Sequence, residues 1–83
     1  MPSIKIIYGT EWCGDCKRSK WFLDQKKIPY SWIDIDDDKE ARKIAMILND
    51  GKAKVPTIVF DDDTVLVEPS NFQLAEKLGI DLD

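Results

Sequence analysis

The chain has 83 residues, 43% of them hydrophobic, which is the size and apolar content of one small globular domain over residues 1–83. Its 12 Lys and Arg against 16 Asp and Glu give a formal net charge of -4, and no His is present. This balance argues against a nucleic-acid partner, and the lack of His excludes Cys–His and Ser–His–Asp catalysis and any His-ligated metal. No apolar run reaches the roughly 20 residues that cross a bilayer, and residues 1–5 do not resemble a secretory signal, so we expect a cytoplasmic protein without a membrane partner.

The first half of the chain predicts a strand, a helix and a second strand. Residues 3–8 are rich in β-branched and aromatic residues and predict a strand buried on both faces. Residues 14–27 predict a helix that ends before Pro29. Four of its residues share one face at a 3.6-residue period: Cys16, Ser19, Phe22 and Leu23. Trp21 falls opposite this face, where it either lies on the surface or contacts a partner. Residues 30–35 predict the second strand, with Ser31, Ile33 and Ile35 on one face and Tyr30, Trp32 and Asp34 on the other.

A second helix is predicted over residues 39–49. Asp37 followed by Glu40 fits a capping box at its start, and residues 49–51 form a stop signal. Its predicted apolar stripe consists of Ala41, Ile44, Ala45 and Leu48.

The last part of the chain predicts a hairpin and a third helix. Residues 55–60 and 64–67 are the hairpin strands. The helix begins with a capping box of Ser70 and Gln73 and stops at Gly79. Its predicted apolar residues are Phe72, Leu74, Ala75 and Leu78. The order β-α-β-α-β-β-α predicts an α/β fold in which strands joined through a helix pair in parallel and the hairpin is antiparallel.

The only two cysteines, Cys13 and Cys16, lie at the junction of the first strand and the first helix. A disulfide between them would close about four residues and stabilise the fold by only roughly 2 kcal/mol, so it is a poor structural staple. Two thiols without His are too few ligands for a structural zinc site, unless two chains share the metal. The first turn of a helix favours a thiolate at Cys13, and Cys16 is one turn further on, within its reach. The pair therefore predicts thiol–disulfide exchange, in which Cys13 attacks and Cys16 resolves the mixed disulfide.

Short motifs over nearly the whole chain resemble the glutaredoxin family. Residues 8–16 have the sequence Tyr-Gly-Thr-Glu-Trp-Cys-Gly-Asp-Cys, and the other matching positions are Leu23, Ile28-Pro29-Tyr30, Asp34-Ile35 and Val55-Pro56-Thr57. Together with Pro69-Ser70 before the last helix, they are most similar to the mycoredoxin-like branch. The resemblance implies a thioredoxin-like fold with a four-stranded mixed sheet ordered second, first, third, fourth, and a thiol–disulfide oxidoreductase that works through the Cys-Gly-Asp-Cys dithiol.

The resemblance also implies a substrate-binding surface. Pro56 is expected to be cis and to face the two cysteines, where otherwise it would be an ordinary proline at a strand start. The backbone of Val55 would pair with a substrate peptide or a thiol tripeptide. The N–H groups of Ser70 and Asn71 would hold a carboxylate of a small thiol, although helix capping explains Ser70 equally well. Trp12 would form a flat wall for the substrate, with core packing as the alternative.

The implied substrates are disulfide-containing proteins and mixed disulfides with a small thiol. Neither a bound cofactor nor a metal is expected. The electron source would be a low-molecular-weight thiol such as glutathione or mycothiol, or a flavoenzyme similar to thioredoxin reductase. Thr10 occupies a position where many glutathione-using members have Lys, and residues 68–71 replace their Gly-Gly pair and acid, so sources other than glutathione stay open. We expect a monomer.

Two other functions compete with this interpretation. One is an iron–sulfur carrier, a dimer that holds its cluster through Cys13 and two thiol molecules. The other is a dedicated electron donor to one reductive enzyme. The acidic runs at residues 36–38 and 61–63 lack the pattern of a calcium loop and predict a helix start and a hairpin turn at the surface.

Overall fold

The computed structural model describes residues 2–82, which form seven helices and strands. In chain order they are β1 (Ile4–Gly9), α1 (Gly14–Gln25), β2 (Ser31–Asp34), α2 (Lys39–Leu48), β3 (Thr57–Phe60), β4 (Val65–Val67) and α3 (Asn71–Leu78). The predicted order is confirmed, and each boundary lies within about two residues of its predicted place, as is usual for element ends. None of the helices in this part of the chain is long and apolar enough to cross a membrane.

The strands form one mixed sheet in the order β2-β1-β3-β4, as the resemblance implied. The two strands joined through α1, β1 and β2, pair in parallel, whereas the β1–β3 and β3–β4 pairs are antiparallel. Parallel pairing places the C-terminal ends of β1 and β2 at the same edge, with Gly9 opposite Asp34. The loops that follow these two ends therefore meet, and one of them carries the cysteine pair.

A β-bulge in β1 decides which side chains face which helices. The pairing with β3 moves from Ile4 opposite Phe60 to Ile6 opposite Val59, so β1 uses one residue more than its partner. The bulge places Ile4 and Ile7 in the same layer, although strict alternation would separate them. Both faces of β1 carry apolar residues, as predicted for a central strand.

Helices cover both faces of the sheet and create two hydrophobic layers. The α1–α3 layer contains nine buried residues: Ile4, Ile7, Phe22, Leu23, Ile58, Phe60, Leu74, Ala75 and Leu78. The α2 layer, on the opposite face, contains four: Tyr8, Ile35, Ala41 and Ala45. The predicted faces of β2 are confirmed, since Ile33 and Ile35 contact the α2 layer while Tyr30 and Trp32 contact the other.

Three predictions about the helices are wrong. The N-cap of α2 is Asp38 rather than Asp37, because the helix begins at Lys39 and the Asp38 carboxylate accepts the N–H of Ala41 at 3.0 Å. Within the α2 stripe, Ile44 and Leu48 are exposed, because the helix rests on the sheet through its two alanines. Phe72 is 61% exposed and is not part of the core, since it lies on the outer side of α3.

Other local predictions are confirmed. The Ser70 hydroxyl accepts the N–H of Gln73 at 3.1 Å, the Gln73 side chain accepts the N–H of Ser70 at 2.8 Å, and Gly79 ends α3 in the left-handed conformation. Trp21 is 65% exposed, as its place opposite the buried face of α1 predicts. Residues 61–63 lie in the β3–β4 turn, where Asp62 accepts from Thr64 and Lys77.

Candidate active site

Cys13 is the N-cap residue of α1 and has an extended backbone, with φ -81° and ψ 119°. Its Sγ accepts the backbone N–H of Cys16 at 3.3 Å, so the sulfur occupies a position usually taken by a side-chain oxygen. A turn after β1, closed by the Cys13 N–H on the Thr10 carbonyl, brings the residue there. Both cysteines are free thiols, and Cys13 is the more accessible of the two. An N–H donor and the positive end of the helix dipole stabilise negative charge on this sulfur.

Cys16, one helical turn further, is only 1% exposed. Burial raises the pKa of its thiol from 9.0 to about 12, because a charged thiolate there would lose its hydration. A backbone hydrogen bond from Thr10 opposes this rise, and the hydrogen bond with Cys13 and the charges of Cys13 and Asp15 add to it. At neutral pH Cys16 is therefore a protonated thiol. The two cysteines therefore differ in access, since Cys13 is partly exposed and Cys16 is buried.

Close packing behind Cys16 depends on Gly9. A Cβ atom on Gly9 would lie 2.4 Å from Cη2 of Trp32 and 2.9 Å from Sγ of Cys16. The indole ring and the buried sulfur therefore both approach the Gly9 backbone more closely than any side chain would allow. Nζ of Lys20 lies over the Trp32 ring, 3.9 Å from the ring centroid.

The segment before β3 faces the cysteines. The Val55–Pro56 peptide bond is cis, as the resemblance implied, and Pro56 is buried. The Cys13 thiol donates to the Val55 carbonyl at 3.7 Å, and the Pro56 carbonyl accepts the N–H of Glu68 at 2.8 Å. Backbone hydrogen bonding thus joins this segment to the loop before α3 and holds the Val55 carbonyl beside the sulfur of Cys13.

A cleft of about 620 Å³ surrounds the Cys13 sulfur. Its lining residues are Trp12, Cys13, Gly14, Asp15, Ala53, Lys54, Val55 and Glu68. Trp12 is 71% exposed, so the alternative of core packing is wrong for this residue. Its indole Nε1 donates to Oδ2 of Asp36 at 2.7 Å, which fixes the ring as one wall of the cleft. Sequence reasoning missed Asp36, although the parallel pairing of β1 and β2 was a signal that the residues after the two strands would meet.

Ser70 and Asn71 do not line this cleft; they line a neighbouring groove between α1 and α3. The Ser70 N–H is bonded to its own capping partner Gln73, so the expected carboxylate contact at Ser70 is not supported. Capping, the alternative explanation for Ser70, accounts for its position. The Asn71 side chain accepts from Arg18 at 2.6 Å, and a ligand role for its backbone N–H stays a prediction.

Arg18 is a further residue of this region whose role the sequence did not reveal. Its guanidinium donates to the Asn71 side chain and, at 2.8 Å, to the Pro69 carbonyl, and it lies 3.7 Å from the Asp15 carboxylate. It thereby joins the helix that carries both cysteines to the start of α3.

The family model described as Glutaredoxin matches residues 6–65, which include both cysteines, the cis Pro56 and the strands around them. The chain belongs to the glutaredoxin family. A Mycobacterium tuberculosis (strain H37Rv) protein named as a glutaredoxin is 38% identical over 72 residues, which cover 87% of this chain and 86% of that protein. Mycoredoxin 1 of Corynebacterium glutamicum is 35% identical over 72 residues, covering 87% of this chain and 89% of its own.

Solved structures agree with this family assignment. The thioredoxin-like protein BC3987, crystallised as a mutant, superimposes on this glutaredoxin with a TM-score of 0.81 and 27% identity, covering 98% of this chain and all of that one. The crystal structure of glutaredoxin (grx-1) from Archaeoglobus fulgidus gives a TM-score of 0.73 and 26% identity, covering 94% and 87%. This glutaredoxin therefore has the thioredoxin-like fold and is a thiol–disulfide oxidoreductase that acts on disulfide or thiol substrates.

Proposed function

We propose that this glutaredoxin reduces protein disulfides, and mixed disulfides between a protein and a small thiol, through Cys13 and Cys16. The proposal rests on the difference in exposure between the two sulfurs. Cys13 Sγ opens into a cleft and accepts an N–H at the start of α1, whereas Cys16 is 1% exposed with a pKa raised to about 12. The Cys13 sulfur is accessible to the disulfide of another molecule, whereas the Cys16 sulfur is buried behind Cys13.

In the first step, the Cys13 thiolate attacks one sulfur of the substrate disulfide. The substrate S–S bond breaks, its electron pair leaves on the second substrate sulfur, and that sulfur takes up a proton. The product is a mixed disulfide between Cys13 and the substrate. The Val55 carbonyl lies 3.7 Å from Cys13 Sγ, so a substrate joined to this sulfur would lie beside the Val55 backbone. The indole of Trp12 bounds the cleft on another side.

In the second step, the Cys16 thiol loses its proton and attacks the Cys13 sulfur. The substrate sulfur that was bonded to Cys13 leaves and takes up a proton, and the Cys13–Cys16 disulfide forms. The substrate has then gained two electrons from the two enzyme sulfurs and two protons, one released by Cys16 and one taken from solvent. Because the pKa of Cys16 is raised to about 12, its thiolate fraction at neutral pH is small and grows about tenfold for each pH unit.

Electrons return to the enzyme by the same chemistry in reverse. Either two molecules of a small thiol are oxidised to their disulfide, or a flavoenzyme supplies the two electrons. With the Ser70 N–H already bonded, a small thiol would be held chiefly in the cleft beside Cys13 and Val55. A direct comparison of glutathione, mycothiol and a reduced flavoenzyme as donors distinguishes these sources.

The test uses two variants and two substrates. Cys13→Ser should lose about 100-fold or more of the activity on both hydroxyethyl disulfide and a peptide with an intramolecular disulfide, because the nucleophile is gone. Cys16→Ser should keep most of its activity on a protein–thiol mixed disulfide when small thiol is in excess, and lose it on the peptide. Ser19→Ala, one turn beyond Cys16 on the same buried face, is the matched control. A Cys13→Ser variant with normal activity would contradict the proposal.

A further inference from the structure

A second cavity lies beside the cysteine cleft, between α1 and the start of α3. It measures about 730 Å³ against about 620 Å³ for the cleft, so it has room for several side chains. Two exposed rings line it from different helices, Trp21 from α1 and Phe72 from α3, together with Leu82 and the buried Phe22. We call it the aromatic groove.

Neither ring contributes to the core. Trp21 is 65% exposed and Phe72 is 61% exposed, while the α1–α3 layer beneath them is filled by other residues. Scattered exposed apolar residues are normal on a protein surface, but two rings that face one concave site beside a reactive cysteine form a binding feature. Large aromatic side chains are also the residues that most often dominate binding energy at interfaces.

The aromatic groove is continuous with the cleft that holds Cys13. Asp15 and Glu68 line both cavities and form the boundary between them. A disulfide that reaches Cys13 carries its own polypeptide chain with it, and that chain must leave the cleft across a neighbouring surface. The boundary at Asp15 and Glu68 leads directly from the reacting sulfur to the two rings.

The boundary itself consists of two acidic residues, Asp15 and Glu68, and the neighbouring cations are Arg18 in the groove lining and Lys54 in the cleft lining. Arg18 is the cation in the groove lining, and its N–H groups donate to Asn71 and to the Pro69 carbonyl on the α3 side. Its ion pair with Asp15 is a longer contact of 3.7 Å between partly exposed groups, which neutralises the carboxylate only partly. Glu68 adds a second carboxylate on the same boundary. A passing chain with a basic side chain is therefore favoured there over one with an acidic side chain.

We propose that the aromatic groove binds the polypeptide segment next to the disulfide of a protein substrate. A basic side chain of that segment lies over Asp15 and Glu68, and an apolar side chain is held between Trp21 and Phe72. This proposal rests on the proposed function of Cys13 as the nucleophile and names the substrate class that this site prefers: disulfides flanked by basic and apolar residues. A small disulfide, which fills only the cleft, makes none of these contacts.

The test compares two peptides with the same intramolecular disulfide. One carries an Arg and a Leu next to the disulfide, the other a Glu and a Ser, and each pair is placed once on the N-terminal and once on the C-terminal side. Hydroxyethyl disulfide is the small substrate. The wild type should reduce the better Arg-Leu peptide with a kcat/KM about tenfold above its Glu-Ser counterpart, since one well-placed interface contact commonly contributes that much.

The double variant Trp21→Ala with Phe72→Ala should lose about tenfold on the Arg-Leu peptide, through KM, and keep its rate on hydroxyethyl disulfide. Phe72→Leu alone keeps an apolar side chain in the groove and should retain most of the preference. Ile47→Ala is the control, because Ile47 is an apolar residue on α2, on the other face of the sheet, and is even more exposed than the two rings.

Three outcomes separate the ideas. Equal loss of activity on all substrates in a double variant that unfolds in urea at the same midpoint as the wild type would overturn the inference, because the rings would then have no effect specific to the peptide segment. A wild type that does not distinguish the peptides in either placement would also overturn it, while leaving the activity of Cys13 intact. A wild type without activity on any disulfide would instead contradict the proposed function itself.

Discussion

The two faces of the sheet are built differently. On one face, α1 and α3 cover large buried side chains such as Phe22, Leu23 and Leu74. On the other, α2 meets the sheet through Ala41 and Ala45, and much of its apolar surface is left exposed. The helix that carries both cysteines belongs to the heavily packed face. Cys16 is therefore buried on the same helix face as Phe22 and Leu23, two members of the larger hydrophobic layer.

The same face also has the contacts that position the site. Arg18 joins α1 to the start of α3, and Trp32 packs over Gly9 next to the sulfur of Cys16. The α2 face contributes Asp36, which precedes α2 and holds Trp12 through a single hydrogen bond. Substitutions on the two faces should therefore differ in how much they lower the free energy of unfolding, and matched pairs of variants can test this.

The largest difference is expected for a matched pair of aliphatic truncations. Leu23→Ala should lower the free energy of unfolding by about 2–5 kcal/mol, because Leu23 is fully buried and its loss leaves a cavity. Ile47→Ala on α2 should change it by no more than about 0.5 kcal/mol, because Ile47 is 78% exposed. Urea denaturation of the reduced protein measures both. Equal losses would show that the α2 face is as tightly packed as the other.

A pair of glycine substitutions should have the next largest effect. Gly9→Ala should lower the free energy of unfolding by about 1–3 kcal/mol, because the new Cβ would collide with Trp32 and with Cys16 Sγ. Gly14→Ala, between the cysteines, has open space around it and should be neutral or stabilising by up to about 1 kcal/mol. Denaturation gives the energies, and the alkylation rate of Cys16 reports its exposure. A faster reaction in Gly9→Ala alone confirms that this packing shields Cys16; unchanged stability and alkylation would show that it does not.

A smaller difference in stability is expected between substitutions of the two arginines, Arg18 on α1 and Arg42 on α2. Arg18→Ala should cost about 1–2 kcal/mol, since it removes charged hydrogen bonds between α1 and the start of α3. Arg42→Ala should cost less than about 0.5 kcal/mol, because its contact with Asp36 is an exposed pair at 3.9 Å. Arg18→Lys should restore little, since one ammonium group does not reproduce the planar guanidinium. Thermal denaturation in low and high salt distinguishes the two, and similar losses for both arginines would contradict the bridging role of Arg18.

The smallest effect on the free energy of unfolding at neutral pH is expected from the ionisation of Cys16 and Tyr30. Burial raises the pKa of Cys16 from 9.0 to about 12, and burial together with the hydrogen bond to Asp24 raises that of Tyr30 from 10.0 to about 12. The folded state then keeps protons that the unfolded chain releases above pH 9. The contribution to stability is complete below pH 9 and is lost as the pH rises toward 12.

Denaturation of the reduced protein between pH 7 and pH 12 measures this loss. Cys16→Ser should flatten the alkaline part of the curve, and Tyr30→Phe should flatten only its upper part, because the ordinary pKa of tyrosine is higher. A curve for Cys16→Ser that coincides with the wild type would show that the thiol is not held protonated by the fold.

Much of the fold was determined by local sequence. The capping box of Ser70 and Gln73, the stop at Gly79 and the place of Cys13 before the first helix all depend on residues a few positions apart, and the structure confirms them. The alternation in β2 and the order of the elements depend on periodicity in the same way. The sheet order and the cis bond before Pro56 came from the family resemblance, because no local pattern specifies them.

The side-chain contacts around the cysteines depend on the tertiary structure. That Trp12 bonds to Asp36, that Arg18 bonds to Asn71 and that Trp32 closes over Gly9 each require residues from separate elements to meet. Whether these residues come into contact depends on the β1 bulge, on the orientation of each helix and on how much of each helix packs against the sheet. Periodicity marks a residue such as Phe72 as apolar, but the neighbouring elements decide whether it is buried in the core or exposed in a groove.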